Sequence, residues 1–311
     1  MEVTRYTPDK ASQWDAFVRS AKNATFLHLR GYLDYHSDRF ADNSLIFRRN
    51  GKAIALLPAN RVDNTLFSHQ GLTYGGFLTQ AAHFGMEDML EVGEALKAYV
   101  AEAGIDTMVY KPVPHIYHTY PAEEDLYLMF RLKAQIATSG LSSVIDIENR
   151  APFNENAKRA VKHATVQGVA IEQSTDFAAF WKILSEVLTT RHGVSPVHTI
   201  DEIVMLHERF PEQIRLYTAT CNGEIVAGTV LYDTGRVAHA QYIAASEQGR
   251  SLKALPLLFK RILENECRGN RYFDFGISTE NGGLTLNTGL DRQKYGMGGR
   301  GVVYNSYIVK F

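Results

Sequence analysis

At 311 residues the chain is about twice the ~150-residue scale of an ordinary domain, so two domains or one large one is expected and a single small module is excluded. Hydrophobic residues make up 45%, charged residues 22% and aromatic residues 11%, which supplies a sizeable core and excludes disordered, collagen-like and linker-like chains. With 33 Lys and Arg against 34 Asp and Glu, the chain lacks the overall basic field that gathers nucleic acids or anionic membranes; only local patches stay open.

The start, Met1 to Tyr6, has no basic-then-apolar leader, and no window approaches the ~18 uninterrupted apolar residues of a membrane span. A soluble, cytoplasmic protein is the expectation. Cys221 and Cys267 form no CxxC pair and are too few for a disulfide framework.

Trp14, Phe17 and Val18 at helical spacing predict a helix over 12–22, and a second, more polar one follows over 30–40. The runs 44–49 and 52–57 flank Asn50-Gly51, a pair suited to the positive φ values of a type I′ hairpin turn. A third strand around Thr65 to Phe67, a polar glycine-rich loop over 68–76, a helix over 86–103 ended by Gly104 and a strand over 105–110 complete this half. Another strand is expected over 142–147.

The second half repeats the order. Helices over 155–167, 177–192 and 200–210 lead to strands 214–219 and 225–232 around a second Asn-Gly turn, Asn222-Gly223. A strand 237–245, a polar loop 246–250, a helix 252–268 and a short strand 272–275 follow. Two halves with one element order suggest a duplicated unit, with coincidence as the alternative because Asn-Gly turns are common. The expected domains are 1–148 and 149–311, joined near Glu148 to Pro152, and the last strand, 302–310, is able to complete a shared sheet.

This order, two helices, a hairpin and third strand, a loop entering a helix, and a following strand, resembles the GNAT N-acyltransferase fold; a tandem pair resembles its FemAB/FemX-like branch. The pieces that carry the resemblance are Thr25 to His28, Tyr35 to Phe40, Leu56 to Ala59 and Ser68 to Gly76 in the first half. In the second they are Lys158 to Lys162, Ile225 to Val230, Tyr272 to Gly276 and Leu290 to Gly296, the last like the lysine-bearing segment that such proteins place after the aspartate-glycine strand. The resemblance implies an α+β (α/β) fold of two GNAT-like domains, each a mixed, mainly antiparallel sheet flanked by helices. It also implies acyl-CoA as donor and a cell-envelope sugar, peptide or related metabolite as amine acceptor. The chain departs from the family at the pyrophosphate turn, Q/R-x-x-G-x-G/A, where it reads Glu247 to Ala254 and no register gives both glycines. Gly249, Arg250, Ser251 and Lys253 are the candidates to hold the donor's phosphates there, since a helix N-terminus favours anions. FemX-like proteins take an aminoacyl group from aminoacyl-tRNA instead. That donor, and a non-catalytic saccharide- or peptide-binding module, are the alternatives, with acyl-CoA favoured because the chain is not basic overall.

His239 and Gln241 share one face of the strand 237–245 in strict alternation, with Tyr242 on the other; a histidine there is either a satisfied core residue or a base beside the acyl cleft. Asp274, between Phe273 and Phe275, is desolvated, which favours its neutral form unless a cation pairs with it. His239 or Asp274 is the expected proton acceptor, with Glu280 in reserve and Lys294 set to neutralise phosphate or developing negative charge. Ser278 and Asn287 lie in a polar, turn-rich stretch at a strand end, which is either a ligand-binding position or a solvated loop. His36, Arg39, His69 and Tyr74 either suit a sugar or peptide acceptor or belong to an Asp38-Arg39 surface pair and a polar hairpin loop, and Arg191 opens a polar segment between two helices that can line the cleft between the halves. Lys158, Arg159, Lys162 and His163 form either a phosphate-facing patch or a solvated helix face.

Other motifs weigh less. Gly296 to Gly301 satisfies GxGxxG but has a strand, not a helix, after it, so no NAD is expected; a flexible loop or substrate lid is the better reading. Gly276 to Glu280 ends in Glu where a nucleophile elbow needs Gly. Eleven histidines include no HExxH and no Cys/His pair at ligand spacing, so no metal is expected.

Overall fold

The computed structural model describes all 311 residues, except that the side chains of Arg191 and His192 lie outside the description. The chain divides into two compact units, 1–140 with 282–284 and 303–311, and 141–281 with 285–302.

The first unit runs β1 (Glu2–Arg5), α1 (Ala11–Ser20), α2 (Arg30–Leu33), β2 (Leu45–Arg49), β3 (Lys52–Leu57), β4 (Asn60–Val62), β5 (Thr65–Phe67), β6 (Leu78–Thr79), α3 (Met86–Glu102), β7 (Thr107–Tyr110) and α4 (Glu124–Arg131). The strand β8 (Gln135–Asp146) carries the chain into the second unit. There follow α5 (Glu155–Val166), β9 (Ala170–Ser174), α6 (Phe177–His192), α7 (Ile200–Arg209), β10 (Ile214–Cys221), β11 (Glu224–Asp233), β12 (Val237–Ala245), α8 (Glu247–Ser251), α9 (Ala254–Asn265), β13 (Tyr272–Ile277), β14 (Thr279–Glu280), β15 (Thr285–Leu286) and α10 (Thr288–Gly296). β16 (Arg300–Lys310) returns the chain to the first unit.

Both Asn-Gly pairs make the turns expected of them: Asn50 and Gly51 have φ of 51° and 78°, Asn222 and Gly223 of 52° and 82°. Helices begin where a side chain accepts an otherwise orphaned amide. Asn154, Asp176 and Ser246 do so for α5, α6 and α8, and Thr199 with Glu202 closes a reciprocal cap on α7.

Each unit contains the same local motif, an antiparallel strand pair, a crossover helix and a parallel return. In the first, β4 pairs with β5, α3 follows, and β7 lies parallel to β5. In the second, β11 pairs with β12, α8 and α9 follow, and β13 lies parallel to β12. The second unit's strand order is β8-β13-β12-β11-β10-β9. Its core under α9 includes Leu258, Phe259, Ile262, Phe273 and Phe275; that of the first, under α3, includes Phe47, Phe77, Leu96 and Met108.

Several expectations need correction. The hairpin β2-β3 pairs with β1 and β6 in a sheet of its own, so Thr65–Phe67 is not its third strand. The helix expected over 30–40 stops at Leu33 and tightens into a 3₁₀ turn over Asp34–His36. There the adjacent rings of Tyr35 and His36 stack at 4.2 Å, an approach that 3.6 residues per turn does not give to neighbours. The polar loop at 246–250 is largely the helix α8. The glycine run after Lys294 is neither flexible nor a lid. Gly299 N–H bonds to Lys294 C=O at 3.0 Å, and a Cβ on Gly298 would stand 2.7 Å from the Ala151 carbonyl oxygen. Close backbone packing is what these glycines serve.

In the first unit Asp125 is fully buried and accepts the Tyr110 hydroxyl. Burial pushes its carboxyl up to about 7. An acid whose pKa is raised on folding contributes stability below its unfolded value and loses it as pH rises through the folded one. The wild-type protein is therefore expected to lose stability between about pH 4 and pH 8, by about 2–4 kcal/mol at ~1.4 kcal/mol per pKa unit. Asp125→Asn, which keeps the acceptor, flattens that slope. Urea unfolding of both proteins at low and high pH checks this, and parallel slopes would show that Asp125 does not titrate as assigned.

Candidate active site

The parallel pairing of β12 with β13 covers only three residues, Val237 to His239 against Tyr272 to Asp274. Beyond that point β12 continues to Ala245 bonded to β11, while β13 turns away. The turn is made at Gly276, whose φ of 77° suits glycine, and it breaks the register of β13 with β8 between Asp274 and Ile277. A fork opens between the two strands, with His239 and Asp274 facing each other at its base.

Asp274 has no solvent-exposed surface, and a buried carboxylate is costly unless donors surround it. Its Oδ2 lies 2.9 Å from His239 Nδ1. Its Oδ1 accepts the Ser142 hydroxyl at 2.5 Å and the Gly276 amide at 2.8 Å. Donation from Nδ1 fixes the histidine tautomer and leaves Nε2 as the basic nitrogen. Although serine, aspartate and histidine meet here, the serine hydroxyl points at the carboxylate and not at the imidazole. That is the wrong order for a serine nucleophile, which needs the histidine between the other two.

A bulge at Gln241 interrupts β12, because Val230 pairs with Tyr242 and the next residue, Leu231, with Ala240. Ala238, Ala240 and Ile243 pack on the α9 side, whereas Tyr242 packs edge-on against Trp181 of α6 at 5.0 Å. The expected alternation is thus overturned: the bulge brings Tyr242 to the face of His239. Its hydroxyl lies 2.5 Å from His198 Nδ1, and burial pushes it up to about 12. Gln241 Oε1 is buried and has no partner among the described residues.

Lys294, on α10, is 3% exposed and donates to the carbonyls of Gly276 at 2.9 Å and Ile277 at 2.8 Å. Burial lowers its ammonium to about 8, with Asp274 pulling the other way. It clamps the outer arm of the fork, and an ammonium has one further donor. Next to the clamp, the Ser278 hydroxyl is buried with no partner among the described residues. Glu280 and Asn287 are not brought to the dyad. They belong to the exposed β14-β15 turn, where Asn287 donates to Glu280 at 3.1 Å and caps α10 through Leu290. No group of three or more His, Cys, Asp or Glu among the described residues is arranged around a metal position.

This fork lies within residues 150–281, which match the GNAT acetyltransferase domain family. Over that span the C-terminal half is GNAT-like. Over the whole chain the fold resembles that of FemX, with a TM-score of 0.70 at 12% identity, covering 100% of this chain and 98% of that one. The C-terminal domain of a putative lysylphosphatidylglycerol synthetase from Agrobacterium fabrum aligns with a TM-score of 0.62 at 12% identity, over 96% and 91%. A tandem GNAT protein from the clavulanic acid biosynthesis pathway aligns with 0.51 at 12%, over 99% and 98%. No curated protein matches the sequence. The resemblance read from the sequence is thereby met: the chain has the FemX-like, tandem GNAT fold.

At the place where the GNAT domain has its pyrophosphate turn, the glycine is used for packing. A Cβ on Gly249 would stand 2.0 Å from the Val226 carbonyl oxygen, and the Gly249 amide is already taken by the Ser246 hydroxyl. Arg250 Nη1 donates back to the Ala245 carbonyl at 2.8 Å. Ser251 and Lys253 are exposed, with Lys253 in the left-handed region at φ 57°. α9 then starts Ala254-Leu255-Pro256, so one of its first amides is missing.

The N-terminal candidates form a separate cluster in their own unit. His36 and His69 are buried, and their rings stack at 5.0 Å. Burial, and then the neighbouring His36, hold His69 down to about 3. Tyr74 is buried against Tyr117 at 4.5 Å, and Arg39 is exposed beside Asp38. The Arg191 side chain lies outside the described residues. On α5, Lys158 pairs with Glu155 at 2.8 Å and Arg159 with Asn156. The sequence reading missed Ser142, because a serine inside a strand carries no pattern that marks its partner.

Replacing Gly249 by Ala is expected to lower the unfolding free energy by about 1–3 kcal/mol or more, since the methyl overlaps a backbone oxygen that is unable to swing aside. Chemical denaturation measures it. An unchanged midpoint together with weakened acyl-CoA binding would instead make Gly249 a phosphate cradle.

Proposed function

We propose that this protein is an N-acyltransferase whose GNAT domain seats an activated acyl carbonyl in the β12-β13 fork and passes it to an amine. The observation that carries the reading is the His239 imidazole fixed through Nδ1 on a buried carboxylate at the base of that fork. A neutral amine attacks the carbonyl carbon of a thioester or ester. His239 Nε2 accepts the proton that the nitrogen sheds, while Nδ1–H stays on Asp274. The tetrahedral intermediate then collapses, its bond to the leaving sulfur or oxygen breaks, and that atom takes the proton from His239 Nε2 to depart as thiol or alcohol. The edge of β12 beyond His239, no longer bonded to β13, supplies N–H donors for the oxyanion. No covalent enzyme intermediate is needed. Lys294 holds the carbonyls of Gly276 and Ile277 out of the slot, and its positive charge favours an anionic intermediate nearby.

Acyl-CoA is the donor we favour, on the strength of the GNAT match. An aminoacyl ester of tRNA is the second reading, and the packed Gly249 and the missing amide of Pro256 speak for it. A cytoplasmic enzyme acting on a cell-envelope sugar or peptide fits either donor. Candidate contacts to the acceptor are Gln241, Tyr242 and Ser278 around the fork, with His36, Arg39, His69, Tyr74, Arg191 and Asn287 further candidates from the sequence.

Thermal shifts with acetyl-CoA, longer acyl-CoAs and a non-hydrolysable aminoacyl ester identify the donor, and product formation from a panel of amino sugars and peptides follows. His239→Ala is expected to reduce kcat by about 10²–10⁴ with little change in KM, as loss of a general base does. Ser142→Ala, which removes one hydrogen bond to a buried charge worth about 1.5–3 kcal/mol, is expected to reduce kcat by about 10-fold or more. Stabilisation by sugars alone, with binding undiminished in His239→Ala and Asp274→Asn, would make the protein a non-catalytic binding module.

A further inference from the structure

Alternation along β8 and β13 puts Asp274, Val144 and Ser142 on one face of the second unit's sheet, and Phe273 and Ile145 on the other. On that second face, between α5, α9 and the segment 150–153, lies a cavity of about 330 Å³. Its apolar lining is Ile145, Phe153, Val161, Leu263 and Met297. Ile145, Leu263 and Met297 are buried and form its floor, whereas Phe153 and Val161 are half-buried and gain by being covered.

Its rim is charged, and the charges are unevenly paired. Lys260 is held by Glu264, and Lys158 by Glu155. Arg150 is exposed, donates to the Leu263 carbonyl at 3.1 Å and has no carboxylate partner among the described residues. Arginine keeps its charge at every physiological pH and presents a planar fork of donors suited to a carboxylate.

The walls are preformed. Asn154 N–H bonds to the Gly296 carbonyl at 2.8 Å, and Gly298 lies against the Ala151 carbonyl too closely for any side chain. The cavity is therefore a fixed feature of the fold and not a gap left by a loose loop.

We infer that this cavity binds a small single-tailed organic anion of the medium-chain carboxylate class, with its tail among Phe153, Val161 and Leu263 and its head on the Arg150 guanidinium. The volume is at the lower end of the about 300–1,000 Å³ of ligand sites, which suits one short tail and is too small for a two-tailed lipid. A polyanion would meet Glu264 on the rim. A neutral hydrocarbon would leave Arg150 unused. The site lies on the sheet face opposite His239 and does not depend on the transferase reading.

Isothermal titration of the full chain with decanoate, decanol and decyltrimethylammonium tests the proposal. Decanoate is expected to bind at micromolar to millimolar concentration, at least 10-fold more tightly than decanol, with no binding of the cation. Arg150→Gln and Arg150→Glu, both surface changes, are expected to weaken decanoate progressively, 10-fold or more for the reversal. Val161→Trp fills the cavity and abolishes binding, with circular dichroism to show that α5 persists. Absence of decanoate binding to the wild-type chain, equal binding of decanol, or binding undiminished by both Arg150 variants or by a folded Val161→Trp overturns it.

Discussion

The arrangement of the GNAT domain turns on the carboxylate of Asp274, which has been taken out of water altogether. A charge in that position is tolerated only when its lone pairs are occupied, and the three donors that occupy them come from three strands: Ser142 from β8, His239 from β12 and Gly276 from β13 itself. The last donor requires the chain to double back within two residues, which is what the left-handed conformation of Gly276 accomplishes. Past the turn β13 has left β12 and pairs again with β8 through Ile277 and Ser142, and Lys294 donates to the carbonyls of Gly276 and Ile277. Satisfying one carboxylate thus ends the parallel pairing with β12 and opens the fork, whose outer arm Lys294 holds.

The first unit shows what the same motif does without such a carboxylate. Its last parallel pair is Phe67 with Val109, both apolar, in place of His239 with Asp274. Past that pair the strands stay stitched together. Ser68 N–H donates to the Val109 carbonyl at 2.9 Å, the Ser68 hydroxyl accepts the Lys111 amide at 2.7 Å, and Gly75 N–H donates to the Lys111 carbonyl. The next residue, Tyr110, turns its polar end to Asp125 inside the fold, where the Phe77 amide also reaches it. At the position that corresponds to the His239–Asp274 pair, then, the first unit has an apolar pair and no fork.

Much of the scaffold was legible because its signals are local. Asn-Gly pairs set hairpin turns through backbone sterics alone, and helix spans followed from apolar periodicity with a capping side chain in front. His239 and Asp274 were also legible, as polar residues on otherwise apolar strands. What escaped depends on contacts distant in sequence. Ser142 acquires its role from a residue 132 positions away, and the bulge at Gln241 exists only in relation to β11. The glycines after Lys294 looked like a lid because their composition is that of a flexible segment; the reason for them is the backbone of Ala151 pressing from outside. The separation of β2-β3 from β5 was likewise invisible, since nothing within either strand names its neighbour.

The weakest part of the GNAT pattern in this chain is the phosphate turn, and its failure has a structural cause. Gly249 is a glycine for the sake of the Val226 carbonyl, its amide is bound by Ser246, and Pro256 withholds a donor from the start of α9. A donor molecule held mainly through its pyrophosphate would find fewer amides here than a helix N-terminus ordinarily offers. In the proposed reaction its activated carbonyl is then located chiefly by the fork, where the free edge of β12 and the Nε2 of His239 meet it. Binding energy concentrated at the reacting carbon is the kind that is realised in the transition state, so under the proposed reaction a phosphate turn with few free amides places the greater weight on an anchored base.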